Sequence, residues 1–106
     1  MIKSSGNHYI LMNQVPVLEP DLENWAAWCN KTDRRVALTK KDNITVSTMF
    51  LGVDWGISRS AAPDLFESMI FGGCHNGEAL WAATWEEAER NHAELCASAF
   101  PRGGAE

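Results

Sequence analysis

The clearest rhythm of apolar and polar positions lies near the C-terminus. Trp85, Ala88, His92, Leu95 and Ala99 recur at three- and four-residue intervals, with Cys96 and Phe100 on the flank. That spacing predicts an amphipathic helix with one inner stripe. Its start reads Thr84-Trp85-Glu86-Glu87, a capping box in which Thr84 accepts from the amide three residues on and Glu87 reaches back. Pro101 ends it. A second helix is predicted after Pro20-Asp21, where Leu22, Trp25, Ala26 and Cys29 fall at i, i+3, i+4 and i+7. Asn30 and Asp33 offer its stop.

Elsewhere the period shortens. Residues 44–53, with Ile44, Val46, Thr48 and Phe50, and residues 65–71 are rich in β-branched and aromatic side chains and read as central strands. Both are apolar on both faces. Residues 35–39 and 79–83 read as shorter strands, with a polar turn at 40–43 and Asn76-Gly77 marking another. Residues 9–12 suggest an edge strand ended by Val15-Pro16, because proline cannot donate to a ladder.

The order β-α-β-β-β-β-α predicts one α+β domain over residues 1–106, with 1–7 and 101–106 as loose ends. Its sheet is a four- to five-stranded antiparallel meander carrying two helices. A meander also fixes which loops share an end of the sheet. Trp28, Asp54, Trp55, Arg59, Trp85 and Glu86 are expected to gather on one rim. Two helices cover one face of such a sheet but not both. The second apolar row (Phe66 and Ile70, or Leu65, Met69 and Phe71) then needs another cover, from a homodimer or a partner.

Charge narrows the function classes. The net charge of −5 disfavours direct nucleic-acid binding, which rests on clustered Lys and Arg. Residues 1–53 carry six basic and five acidic groups, residues 54–106 three and nine. The acidic second half suits a basic partner. Cys29, Cys74 and Cys96 form no CxxC pair and read as reduced thiols of a cytoplasmic protein. No apolar stretch has the length of a signal peptide or of the roughly 20 residues that span a bilayer, so no membrane role is expected.

No P-loop, GxGxxG, HExxH or GxSxG motif occurs, and no catalytic residue, cofactor or metal site is assigned. Five groups of residues remain as candidates. Asp54, Trp55 and Arg59 occupy the longest internal loop, where Trp and Arg are typical interface anchors. The plainer reading folds Trp55 over the sheet edge. Glu67 interrupts an apolar strand and is either a general base or a ligand-anchoring group or, more simply, outward or paired. His92, Cys96, Cys74 and His75 are four conceivable zinc ligands, but their spacing fits no known module, and His92 reads as a satisfied core histidine. Lys31, Arg34, Arg35, Lys40 and Lys41 form a basic run that Asp33 and Asp42 interrupt, more a solvated edge than a phosphate site. Of the five tryptophans, Trp25 and Trp85 belong to helix stripes, while Trp28, Trp55 and Trp81 are less constrained.

Three blocks carry a resemblance: Val46-Ser47-Thr48-Met49-Phe50-Leu51-Gly52-Val53-Asp54, then Leu65-Phe66-Glu67-Ser68-Met69-Ile70-Phe71-Gly72-Gly73, then Ala83-Thr84-Trp85-Glu86-Glu87-Ala88 with His92. Together with Asp33 to Ala37 they resemble a family of small uncharacterised tailed-bacteriophage and prophage proteins with the pattern STVFLGLDH…LFETMVFGG…STWEEAEAGH. Trp55 departs from it, standing where the family often has histidine, so an Asp-His pair is not available here. The resemblance transfers no activity. It implies a phage accessory protein acting in the bacterial host cell. The expected role is binding and inhibition of a host defence component, anti-CRISPR-like or another anti-defence inhibitor. Trp28, Asp54, Trp55, Arg59 and Glu86 are the candidate partner-binding residues, and a host protein with a basic nucleic-acid-binding surface is the candidate partner. The alternatives are a nucleotide-sequestering protein using Arg59 or Arg34 and Arg35, a small hydrolase using Asp54, Glu67 or His92, and an assembly role in the virion.

Overall fold

The computed structural model describes residues 7–58 and 61–101. Eight elements follow in order: β1 (Tyr9–Met12), β2 (Val15–Leu18), α1 (Leu22–Lys31), β3 (Arg35–Lys41), β4 (Ile44–Phe50), β5 (Phe66–Phe71), β6 (Ala79–Ala82) and α2 (Trp85–Ala99). The fold is α+β. Strands β3 to β6 form the expected antiparallel meander in sequential order. The expectation for the chain ends falls almost wholly outside the described residues.

One strand was not anticipated. β1 does not join the meander but pairs with β2 in a two-stranded hairpin of its own. Pro16 therefore lies inside a strand, opposite Leu11, rather than ending one. In a hairpin with a two-residue turn, the pair flanking the turn exchanges hydrogen bonds and the next pair does not. Pro16 occupies that next pair, where its missing N–H costs nothing. The turn residues Asn13 and Gln14 both take positive φ, +51° and +69°, as a type I′ turn requires.

Asp21 caps α1, accepting from the amides of Glu23 (2.9 Å) and Asn24 (3.1 Å). Leu22, expected on its inner stripe, is instead 58 % exposed. It sits on the first turn, while the contacts of this helix are made further along. Trp25 donates from its indole to the Tyr9 carbonyl at 3.1 Å, and Trp28 packs edge-on against Phe50. Gly52 permits this docking. It takes φ +81°, and a Cβ there would fall 3.0 Å from the Trp25 indole nitrogen.

The capping box of α2 is present in modified form. Thr84 accepts from the Glu87 amide at 3.1 Å, but Glu87 returns to the amide of Ala83 rather than Thr84. α2 lies across the sheet with Ala88, His92, Leu95 and Ala99 buried. Beneath it are two apolar clusters. One joins Phe50, Leu65, Phe66, Ala82 and Ala88 and is flanked by Tyr9, Leu11, Trp28, Val36 and Trp85. The other joins Val46, Ile70, Leu95 and Ala99, with Leu80 and Phe100 at its margin.

Between the clusters runs a polar band. The Thr48 hydroxyl is 2.7 Å from the Ser68 hydroxyl and 2.7 Å from His92 Nδ1, while His92 Nε2 is 2.9 Å from the Thr39 hydroxyl. Every polar atom of this band has a partner, which is the condition for burying it.

The alternate residues of β4 and β5 point away from α2. They include Met49, Glu67 and Met69, which are partly exposed, and Phe71, which is 50 % exposed. Neither apolar cluster reaches this row.

Candidate functional site

The rim expected from topology is organised by aromatic contacts. Trp28 meets Phe50, Phe50 meets Phe66, and Phe66 meets Trp85, with ring centroids 5.7, 5.2 and 6.2 Å apart. These spacings are those of favourable edge-to-face and tilted pairs. The end of α1, the ends of the central strands and the start of α2 thus share one apolar cluster. Arg34 reinforces this end, donating to the carbonyls of Phe50 (3.4 Å) and Leu51 (3.3 Å). Nη1 of its guanidinium thus ties the start of β3 to the end of β4. Burial pushes the nearby Cys29 thiol up, an effect Arg34 partly offsets.

The β4–β5 loop leaves from this rim and is held by two carboxylates. Asp54 Oδ1 accepts from the Gly56 amide and, across the loop, from the Asp64 amide, both at 2.9 Å. Asp64, only 3 % exposed, accepts from the Ser58 amide at 2.6 Å and the Ser58 hydroxyl at 2.5 Å. A buried carboxylate needs such donors, and here Ser58 of the same loop supplies them from its amide and its hydroxyl. The outcome is a braced loop whose apolar residues face outward. Trp55 is 67 % exposed and Ile57 48 %. Trp55 does not fold back over the sheet edge.

Of the candidate partner-binding residues, Trp55 and Glu86 stand exposed, Glu86 on the first turn of α2. Trp28 is half-buried and serves the aromatic chain, and Asp54 serves the loop's internal hydrogen bonding. Arg59 lies outside the described residues. Ile57 and Asp64 were not singled out from the sequence. A carboxylate directly after Pro63 and before the apolar run beginning at Leu65 was the available signal for Asp64.

The hydrolase candidates do not converge. Asp54 braces the loop, Glu67 accepts from the Trp81 indole at 3.2 Å on the face away from α2, and His92 is buried beneath α2. Both ring nitrogens of His92 are engaged by threonine hydroxyls, and desolvation lowers its pKa, so the ring is a neutral core group. Among the described residues no three His, Cys, Asp or Glu side chains are placed to share a metal ion.

At the opposite end of the sheet, Ile44, Gly72, Gly73, Cys74, His75 and Ala99 are among the residues lining a cleft of about 80 Å³. That is well below the roughly 300 Å³ of a small-molecule site. His75 pairs with Glu78 beside it. Among the described residues no helix is long and apolar enough to cross a membrane.

Compared with models of protein families, with curated proteins and with solved structures, the chain matches none.

Proposed function

We propose that the protein is a phage-encoded accessory protein that works in the bacterial host cell by binding and inhibiting a component of host defence. The observation that carries this reading is the braced display of Trp55 and Ile57. Trp55 stands outward although tryptophan is on average a highly buried residue, and the hydrogen bonds of Asp54 and Asp64 hold the loop before any partner arrives. Binding then loses less conformational entropy, and an exposed aromatic is the commonest kind of interface hot spot. The acidic second half of the chain supports a basic partner surface, whose attraction speeds encounter and sets orientation. The resemblance to phage proteins supports the setting.

The test uses a host strain carrying a defence system against which the expressed protein restores plating of a sensitive phage. Trp55→Ala is expected to abolish that protection and to weaken capture of the defence component by about thirtyfold or more, the scale of a hot-spot truncation. Thermal stability should stay within a degree or two of the parent, because the side chain is largely in water. Unchanged capture and protection by a folded Trp55→Ala variant would remove the basis of the reading.

A further inference from the structure

The face of the sheet turned away from α2 carries a pattern that one occupant fits. Three cross-strand rows make it up. The first runs Arg35, Met49, Glu67, Trp81 from β3 to β6, the second Leu38, Ser47, Met69, Ala79, and the third Lys40, Thr45, Phe71. Its cations lie on β3 alone, its carboxylate on β5 and its tryptophan on β6. Leu38 is 43 % exposed and Phe71 50 %. Among the described residues no ion pair engages Arg35 or Lys40.

We infer that this face docks on the same face of a second copy of the chain, with the two-fold axis parallel to the strands. Such an axis lays β3 of one copy over β6 of the other at the same height, so each row meets itself reversed. Arg35 of the second copy then lies over Trp81, with Glu67 on the adjacent strand. Glu67 already holds the Trp81 indole through Oε2, which leaves Oε1 to accept from the guanidinium. The arginine gains a ring face and a carboxylate together. In the second row the bulky Leu38 meets the small Ala79, and in the third the Lys40 stem passes Phe71.

The other in-plane axis, across the strands, lays β3 on β3. It sets Arg35 against Lys40 and Glu67 against Phe71, pairing like charges and stranding a carboxylate on an aromatic ring. The charge pattern therefore selects the first axis. Aligned packing of two sheets about 10 Å apart keeps these rows in reach.

The footprint is small. Four strands at about 4.8 Å spacing and six residues at about 3.3 Å cover roughly 400 Å² per copy. That is about half the contribution of each partner to a standard interface, so the association belongs with the weak, transient ones. It involves none of the Trp55 loop, and the failure of either proposal leaves the other standing.

Sedimentation equilibrium of the full chain, from micromolar to millimolar concentration, tests the inference. The expected result is a concentration-dependent dimer that Arg35→Glu weakens at least tenfold. Glu67→Arg weakens it likewise, and combining the two exchanges restores it. Ala79→Arg, which crowds Leu38 of the second copy, gives the same loss by shape and serves if a charge variant misfolds by circular dichroism. A monomer throughout the range overturns the inference. So does a dimer that Arg35→Glu leaves unchanged or strengthens, strengthening being the mark of the across-strand axis.

Discussion

The two faces of the four-stranded sheet are drawn from alternate residues of the same strands, yet one is dry and the other half-wet. On the α2 side Val46, Thr48, Phe50, Phe66, Ser68 and Ile70 are at most 1 % exposed. Their sequence neighbours Ser47, Met49, Glu67 and Met69 keep part of their surface in water, and Phe71 keeps half. Apolar content does not separate the rows, since the dry row holds a threonine and a serine and the wet row two methionines and a phenylalanine. What separates them is α2, joined at the Phe50 end by Tyr9, Leu11 and Trp28. Its buried stripe places His92 at the level of Thr48 and Ser68, with apolar residues above and below. A helix slid by one turn would bring an apolar side chain to the hydroxyls and the imidazole to an apolar cluster. The polar band therefore sets the register of α2 on the sheet.

The sharpest way to break the comparison is to truncate neighbours that face opposite ways. Ile70→Ala opens a cavity in a fully buried site and should cost about 2–5 kcal/mol in urea unfolding. Phe71→Ala removes a larger side chain, yet in dilute solution should cost less than about 1 kcal/mol, because half of that side chain already meets water. The gap should narrow as protein concentration rises, since a docked second copy would bury Phe71. A gap absent even at low concentration would mean that the two faces are equally buried in the monomer.

The polar band offers the next largest effect, and it carries a sign. Desolvation lowers the pKa of His92 in the folded protein below the 6.5 of a free imidazole. The unfolded chain then binds more protons than the folded one as acid is added. The His92 contribution to stability is full above about pH 6.5, declines as pH falls through the unfolded value, and levels off below the folded one. His92→Leu should remove this portion of the acid slope, measured as the wild-type-minus-variant difference between neutral pH and pH 5. At neutral pH the same substitution should cost about 1–3 kcal/mol, because Thr39 and Thr48 each lose a buried partner. A difference that stays constant with pH would show that His92 is not neutral by virtue of its burial.

Local signals were enough to read α2, the two central strands and the meander, because each has a strong period or a marked turn. The residues that resisted are those whose state depends on something distant. Which row of β4 and β5 faces inward depended on where α2 lands, and the rows are too alike to say. Pro16 reads as a terminator until its partner is known, and Gln14 is an unusual residue to hold positive φ, so the β1–β2 turn carried only half a signature. Leu22 keeps helical spacing but lies beyond the reach of the surfaces that bury Trp25 and Trp28. In the loop, Trp55 was legible as a candidate, whereas the carboxylate that braces it, Asp64, looked like ordinary loop polarity until its hydrogen bonds to Ser58 were seen.

The smallest expected effect comes from the one carboxylate on the wet face. Glu67 interrupts an apolar strand, a position that on the α2 side would demand a buried partner. Turned outward, it needs only the Trp81 indole, which donates to it at 3.2 Å, and water supplies the rest. Glu67→Gln keeps a carbonyl oxygen to accept from Trp81 while removing the charge, so monomer stability should change by less than about 0.5 kcal/mol in urea unfolding. The same neutralisation should still weaken dimerisation, because the carboxylate is what Arg35 of the second copy would meet. A variant silent in unfolding but active in sedimentation would place the role of Glu67 between molecules. One that destabilises the monomer by 1 kcal/mol or more would show that this face is drier than its exposure indicates, and the contrast between the two faces would lose its force.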